Sequence, residues 1–265
     1  MADAARSHGM HLLTPPRLRS PEARAAIATF RPDGLLLAAY GELVPADLLA
    51  VAPRPPLNVH PSLLPRHRGA APVASTILAG DPEAGVSLMI MVERLDAGPV
   101  VGQWRIPLSG REETPALESR LGVLAAEVVP PRLAEWSTGQ LDAHDQEESQ
   151  ATYQPPFTRR DGWIDWAGSA EAIDRQVRAL QPWPGAWTTL DGRRLHVRRV
   201  HPVAGLPGLP IGSLLPGTPP TVACGLGAMA LETVQPEGRP PMAADAWRNG
   251  LSRDHVLLGG DAPPE

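Results

Sequence analysis

The sequence predicts an α/β fold: a layered N-terminal domain built on a mostly parallel sheet, followed by a small β-barrel domain. Three observations carry this expectation. Short apolar runs alternate with helix-forming stretches through the first half of the chain, the pattern of strand–helix units. Residues 137–158 then turn polar and acidic without apolar periodicity, as a linker does. Beyond them come short alternating strands between Gly/Pro loops, the spacing of a small barrel.

In chain order, Pro21 to Thr29 is rich in helix formers, and "GLLLAAYG" (34–41) is an apolar run of strand length. "LNVH" (57–60) and "GVSLMIMV" (85–92) are further strands. Thr114-Pro115 reads as a cap followed by a first-turn proline. Leu117, Leu121, Leu124 and Val128 form a stripe at helical spacing, and Pro130-Pro131 should end or kink that helix. In the second half, a short helix is expected around Ala170 to Leu180. "AWTTLDGRRLHVRRV" should form two strands about an Asp-Gly turn, with more strands at "TVACG" and "AMALETV".

Every one of the 24 basic residues is Arg. Residues 1–150 carry 13 Arg against 18 acids, and residues 151–265 carry 11 against 11, so contact with a polyanion has to use local patches rather than the net field. The single cysteine, Cys224, excludes an internal disulfide framework and fits a reducing compartment. No stretch reaches the roughly 18 uncharged apolar residues that span a bilayer, and the N-terminus lacks the pattern of a signal peptide. The expectation is a cytoplasmic protein with no membrane partner.

"LNVHPSLLPRHRGAAP" (57–72) carries the candidate chemistry. Residues two apart on a strand share a face, which puts Asn58 beside His60 at the end of the strand. Asp96 in "RLDAGP" adds a carboxylate. Singly, each also fits a structural role: a turn-forming Asn, a hydrogen-bonded His, an Asp-x-Gly turn. Together, an amide and an imidazole can stabilise an oxyanion while a carboxylate orients the imidazole. Ser62 as a nucleophile is the rival, but no G-x-S-x-G surrounds it, and no metal-ligand spacing is present.

These residues resemble the folate-dependent formyltransferases, which carry Asn-x-His, a Ser-Leu-Leu-Pro loop and a Leu-Asp-x-Gly loop. "TRRDGWIDW" (158–166), "RALQPWPGAWTTLDGRRL" (178–195) and "VQPEGRPPM" (234–242) are similar to the C-terminal domain of the branch acting on initiator tRNA. The resemblance runs from about residue 8 to residue 258. It implies a Rossmann-like catalytic domain at 1–136, incomplete at its start, a linker at 137–158, and an oligonucleotide-binding-like (OB-like) tRNA-binding barrel at 159–265. The implied reaction moves the formyl group of 10-formyltetrahydrofolate to the amino group of methionine on initiator Met-tRNA, in a monomer without metal.

The resemblance also implies roles. Asn58 would polarise the formyl oxygen, His60 would stabilise the tetrahedral oxyanion, and Asp96 would tune His60 and assist proton removal. Ala39, Tyr40 and the loop Ser62, Leu63, Leu64 and Pro65 would contact folate. Arg66 and Arg68 would sit at the mouth, as phosphate contacts or as solvated charges. On the barrel, alternation in "RRLHVRR" puts Leu195 and Val197 on one face and Arg194, His196 and Arg198 on the other, a basic face suited to tRNA phosphates. The Trp residues of "GWIDW" and "PWPGAW" are expected to pack in the core or between domains rather than to serve as base-stacking platforms.

Departures from the family are His67 in place of an aromatic, Pro61 in place of a small residue and Arg159 in place of Lys. The family's opening strand, Gly turn, helix, second strand and basic loop have no counterpart here, which predicts exposed sheet edges and leaves the activity of the chain open. A misassigned start codon and a shortened protein are the two explanations. Action on another amine, such as a sugar nucleotide or purine precursor, and an inactive tRNA- or folate-binding remnant are the alternative functions.

Overall fold

The structure is a computed structural model that describes residues 2–41, 44–205, 208–251 and 255–260. The expected domain limits at residues 1 and 265 lie outside them. The first half contains α1 (Ala2–Ser7), α2 (Pro21–Thr29), β1 (Leu36–Ala38), α3 (Ala46–Leu49), β2 (Leu57–His60), β3 (Arg68–Gly69), α4 (Pro72–Ala79), β4 (Glu83–Ile90), β5 (Val100–Pro107) and α5 (Thr114–Thr138). Helix α2 starts where its sequence directs: Ser20 accepts a hydrogen bond from Ala23 N, and Pro21 fills the first turn.

Four strands form a sheet in the order β1-β2-β4-β5. Only β1–β2 is parallel; β2–β4 and β4–β5 are antiparallel, which corrects the expected mostly parallel sheet. Apolar runs record burial, not direction. Residues 91–99 hold no crossover helix, so β5 can only return antiparallel to β4. Strand β1 is an edge, with Leu36 exposed. Helices α4 and α5 cover the sheet through Val73, Ile77, Val86, Leu117 and Leu121. Leu57, Leu88, Val101 and Val129 form a second cluster, each buried aliphatic side chain contributing about 1.5–3 kcal/mol of burial energy.

Two expectations for α5 are corrected. The helix continues through Pro130 and Pro131 to Thr138. Both prolines are exposed, so water can serve the carbonyls they leave unbonded, while Val129, Leu133 and Trp136 hold the other side against the sheet. Thr114 is not the cap. It lies in the helix, and its buried hydroxyl donates instead to Ala179 O at 2.6 Å.

The second half contains β6 (Tyr153–Gln154), α6 (Ala170–Ala179), β7 (Trp187–Leu190), β8 (Arg193–Val203), β9 (Ser213–Leu215), β10 (Thr221–Ala223), β11 (Ala228–Pro236), β12 (Met242–Ala243), α7 (Ala244–Asn249) and β13 (Val256–Leu257). Strand β6 pairs with β3. The others curl into a barrel-like sheet, β13-β9-β10-β11-β8-β7, with β12 on β11. The β7–β8 hairpin turns at Asp191-Gly192, both with positive φ, as the Asp-Gly signal requires. Trp166 and Trp187 are buried in or beside the barrel core, whereas Trp183 is 57% exposed. It sits in the turn between α6 and β7 and lies outside the core.

Helix α6 joins barrel and sheet. Besides the Thr114–Ala179 bond, Arg175 Nε donates to Leu78 O at 3.1 Å and Arg178 Nη1 to Glu112 O at 2.8 Å. Each bond ends on a backbone carbonyl at one side or the other of this junction.

Candidate active site

Strand β2 delivers Asn58 and His60. Asn58 is half-buried and lies between Leu37 of β1 and Met89 of β4. Its amide has no hydrogen-bond partner among the described residues, leaving it free for a ligand. His60 is 4% exposed. Its Nε2 lies 3.0 Å from His67 O; a carbonyl only accepts, so Nε2 carries the hydrogen. Nδ1 is thereby the free nitrogen, 3.7 Å from Asp96 Oδ1.

Asp96 is buried and has a positive φ of 52°, a conformation that Asp tolerates better than most residues. Gly69 N donates to its other oxygen at 2.8 Å. Gln146 Nε2 donates to Asp96 O and Gly98 O at 2.8 and 2.7 Å. The three polar groups expected from sequence thus come from one strand end and one loop, and the imidazole and carboxylate face each other.

Burial pushes the His60 pKa below its ordinary value, and the Asp96 carboxylate offsets part of that. His60 is therefore neutral at pH 7. The folded state binds the proton less well than the unfolded one, so this stabilising contribution is full above about pH 6.5 and is lost as pH falls through the lower folded value. Turnover that needs neutral His60 is expected to persist as pH drops below 6.5 and to fall only near that depressed value. A pH–kcat profile checks this; an acid limb above 6.5 contradicts it.

Beside Asp96 is a cavity of about 270 Å³ with Val44, Leu49, Met89, Met91 and Leu95 in its walls. The lining is mainly apolar and also carries the Asp96 and Glu93 carboxylates and Arg19, and apolar walls with carboxylate acceptors suit a flat heterocycle bearing ring N–H groups. Ala39 and Tyr40 lie exposed just beyond β1, at the same sheet edge as His60 because β1 and β2 are parallel. The Ser62–Pro65 loop follows directly from His60, whose carbonyl accepts from Ser62 N at 2.9 Å, and is held inward. Ser87 Oγ donates to Ser62 O, Leu64 N donates to Ser87 Oγ, and Gln103 Nε2 donates to Leu64 O. Ser62 and Leu64 are buried, and none of the four residues lines this cavity.

Arg68 is not at the mouth. It is 3% exposed, and its guanidinium is bound by Gln146 at 2.9 Å and Glu148 at 3.1 Å. Its charge is satisfied internally, which corrects its expected role as a phosphate contact. Arg66 is half-exposed and pairs with Asp81 at 2.6 Å. On β8 the alternation holds, with Leu195 and Val197 buried. Arg194 stacks 4.3 Å over Trp187 and Arg198 bonds Gln235. Burial, with Arg198 and Arg194 nearby, lowers the His196 pKa, so His196 adds no charge to that face at neutral pH.

Sequence reasoning missed Gln146, Glu148, Thr152 and Tyr153. All lie in the segment expected as a linker. Polar bonds hold this segment: Val100 and His144 exchange backbone hydrogen bonds, and β6 pairs with β3. Burial and the nearby Asp96 raise the Tyr153 pKa. No apolar periodicity marks a strand held in this way. Among the described residues no cluster of three or more His, Cys, Asp or Glu could hold a metal ion, and no helix is long and apolar enough to cross a membrane.

An α/β layer with Asn58, His60 and Asp96 at the C-terminal end of β2, joined to a barrel, fits a group-transfer enzyme. The formyl transferase pattern matches residues 2–133 and the formyl transferase C-terminal domain pattern matches residues 156–252; the chain belongs to the formyl transferase family. It is 41% identical to the methionyl-tRNA formyltransferase of Roseiflexus sp. (strain RS-1), over 97% of this chain and 79% of that protein. Among solved structures, methionyl-tRNA formyltransferase from Clostridium thermocellum aligns with a TM-score of 0.60 at 18% identity, covering 75% of this chain and 86% of that one. HypX from Aquifex aeolicus in complex with tetrahydrofolic acid aligns with a TM-score of 0.65 at 20% identity, covering 87% of this chain and 41% of that one.

Proposed function

We propose that this chain transfers the formyl group of 10-formyltetrahydrofolate to the amino group of methionine on initiator Met-tRNA, for translation initiation. The carrying observation is the likeness to methionyl-tRNA formyltransferase over nearly the whole chain, with Asn58, His60 and Asp96 at the C-terminal end of β2. The cavity beside Asp96 supports a place for the folate heterocycle. Ala39 and Tyr40 stand where they can border it.

In the mechanism, the Asn58 amide donates to the formyl oxygen as the amine nitrogen bonds to the formyl carbon, stabilising the oxyanion. Neutral His60 takes a proton from that nitrogen at Nδ1 and so becomes an imidazolium beside the oxyanion, held by Asp96. His60 then returns the proton to the folate nitrogen as its bond to the formyl carbon breaks. Proton acceptance and oxyanion stabilisation are thus successive acts of one ring.

Residues 1–136 would form the catalytic domain and 159–265 the tRNA-binding barrel, with 137–158 connecting them while also bracing the Asp96 loop. Arg66, Arg194 and Arg198 would meet tRNA phosphates. We place the protein in the cytoplasm as a monomer. The test is a formylation assay on the full chain with initiator Met-tRNA and 10-formyltetrahydrofolate, beside a gel-shift measurement of tRNA binding. Formyl-Met-tRNA formation is the expected result. Turnover only on a sugar nucleotide, or tRNA binding without turnover, overturns the proposal.

A further inference from the structure

His60 is held from behind by the carbonyl of His67, a residue whose own conformation needs support. His67 has φ of 59°, the left-handed region that a non-glycine residue keeps only where its surroundings over-determine it. Two contacts supply that support. The His67 side chain, 8% exposed, places Nε2 2.7 Å from Asp81 Oδ2, and the His67 amide donates to Thr152 Oγ1 at 2.8 Å. Asp81 is fixed in turn by Arg66 on its other oxygen.

We propose that His67 is a positioning residue for the formyl-transfer reaction: its side chain, anchored on Asp81, sets the backbone carbonyl that fixes His60 in the Nε2–H tautomer with Nδ1 toward the reacting atoms. Without the anchor the left-handed turn relaxes, the carbonyl leaves Nε2, and His60 can place its hydrogen on Nδ1. In that tautomer Nδ1 already carries a hydrogen and cannot accept the amine's proton. Asp81 and Thr152 therefore act on the chemistry through His67, without touching substrate.

The inference rests on the formyltransferase reading, and its primary readout needs no turnover. Full-length chain carrying 15N-labelled histidine is examined by long-range 1H–15N NMR to assign the His60 tautomer, and kcat and KM for 10-formyltetrahydrofolate are measured in parallel. The parent should show a single Nε2–H form. In His67→Leu, His60 should become a tautomer mixture and kcat should fall about tenfold to a hundredfold, the cost of a small misplacement, with KM changed less than about twofold. His67→Gln puts an amide donor at the same reach and should recover most of the loss. If His67→Leu does not fold, Asp81→Ala and the exposed Thr152→Val are read in the same way. A His60 that stays wholly Nε2–H in these variants, or a loss in KM equal to that in kcat, overturns the role. Failure of the parent to formylate Met-tRNA while the tautomer responds as described counts against the function and leaves the clamp standing.

Discussion

Replacing His60 with Ala is expected to lower kcat by about two to four orders of magnitude, the range for losing a positioned acid–base group, with KM for 10-formyltetrahydrofolate nearly unchanged. The reason is geometric. His60 is almost fully buried with one nitrogen committed to His67 O and the other turned toward Asp96, so it offers one proton-accepting position and little contact area to a bound folate. Asn58→Ala should cost about 10² to 10³ in kcat, the usual loss of one oxyanion donor. Because both residues serve one transition state, the double variant should fall well short of the product of the two losses. Steady-state and single-turnover kinetics check this. Equal changes in kcat and KM would mean that these side chains hold substrate rather than promote transfer.

Gly69→Ala should unfold the site from beneath. Gly69 has φ of 105°, and a Cβ there would lie 2.2 Å from Gln154 O, across the β3–β6 ladder. The same residue's N–H donates to the Asp96 carboxylate. A conformation nearly closed to side chains costs about 1–3 kcal/mol, and a lost bond to a charged group about 1.5–3 more, so the variant should lose about 3 kcal/mol or more in urea denaturation. Gly122→Ala is the contrast. A Cβ on Gly122 meets nothing within 4 Å in helix α5, and there Ala should stabilise by up to about 1 kcal/mol. Similar losses in both variants would refute the steric argument.

Much of this arrangement was legible in the residues. The i, i+2 spacing of Asn58 and His60 fixed their common face, and Asp-Gly at 191–192 fixed a hairpin, because both depend on local backbone geometry alone. Strand direction was not legible: "GVSLMIMV" reads alike in either sense, and the loop at 91–99 sets only the direction of β5 relative to β4. The brace around Asp96 was hidden for another reason. Gln146 and Glu148 act through side-chain polar bonds to residues some fifty to eighty positions away, and such pairings leave no periodic trace. Arg68 was misread because an Arg in a loop looks solvated until its partners are known. Proline likewise signals a break only where the freed carbonyls are dry, and on α5 they are not.

The three hydrogen bonds that α6 makes to Leu78, Glu112 and Thr114 bear on how this enzyme could be recombined with its kin. Two of them end on main-chain oxygens of the first half and one on a main-chain oxygen of the second, so Arg175, Arg178 and Thr114 supply the side chains of these three bonds, beside the apolar packing of Phe157 and Ala179 on the first-half core. A chimera exchanging barrels would keep these three bonds if the incoming helix carried donors at those two positions and the recipient a hydroxyl at the third.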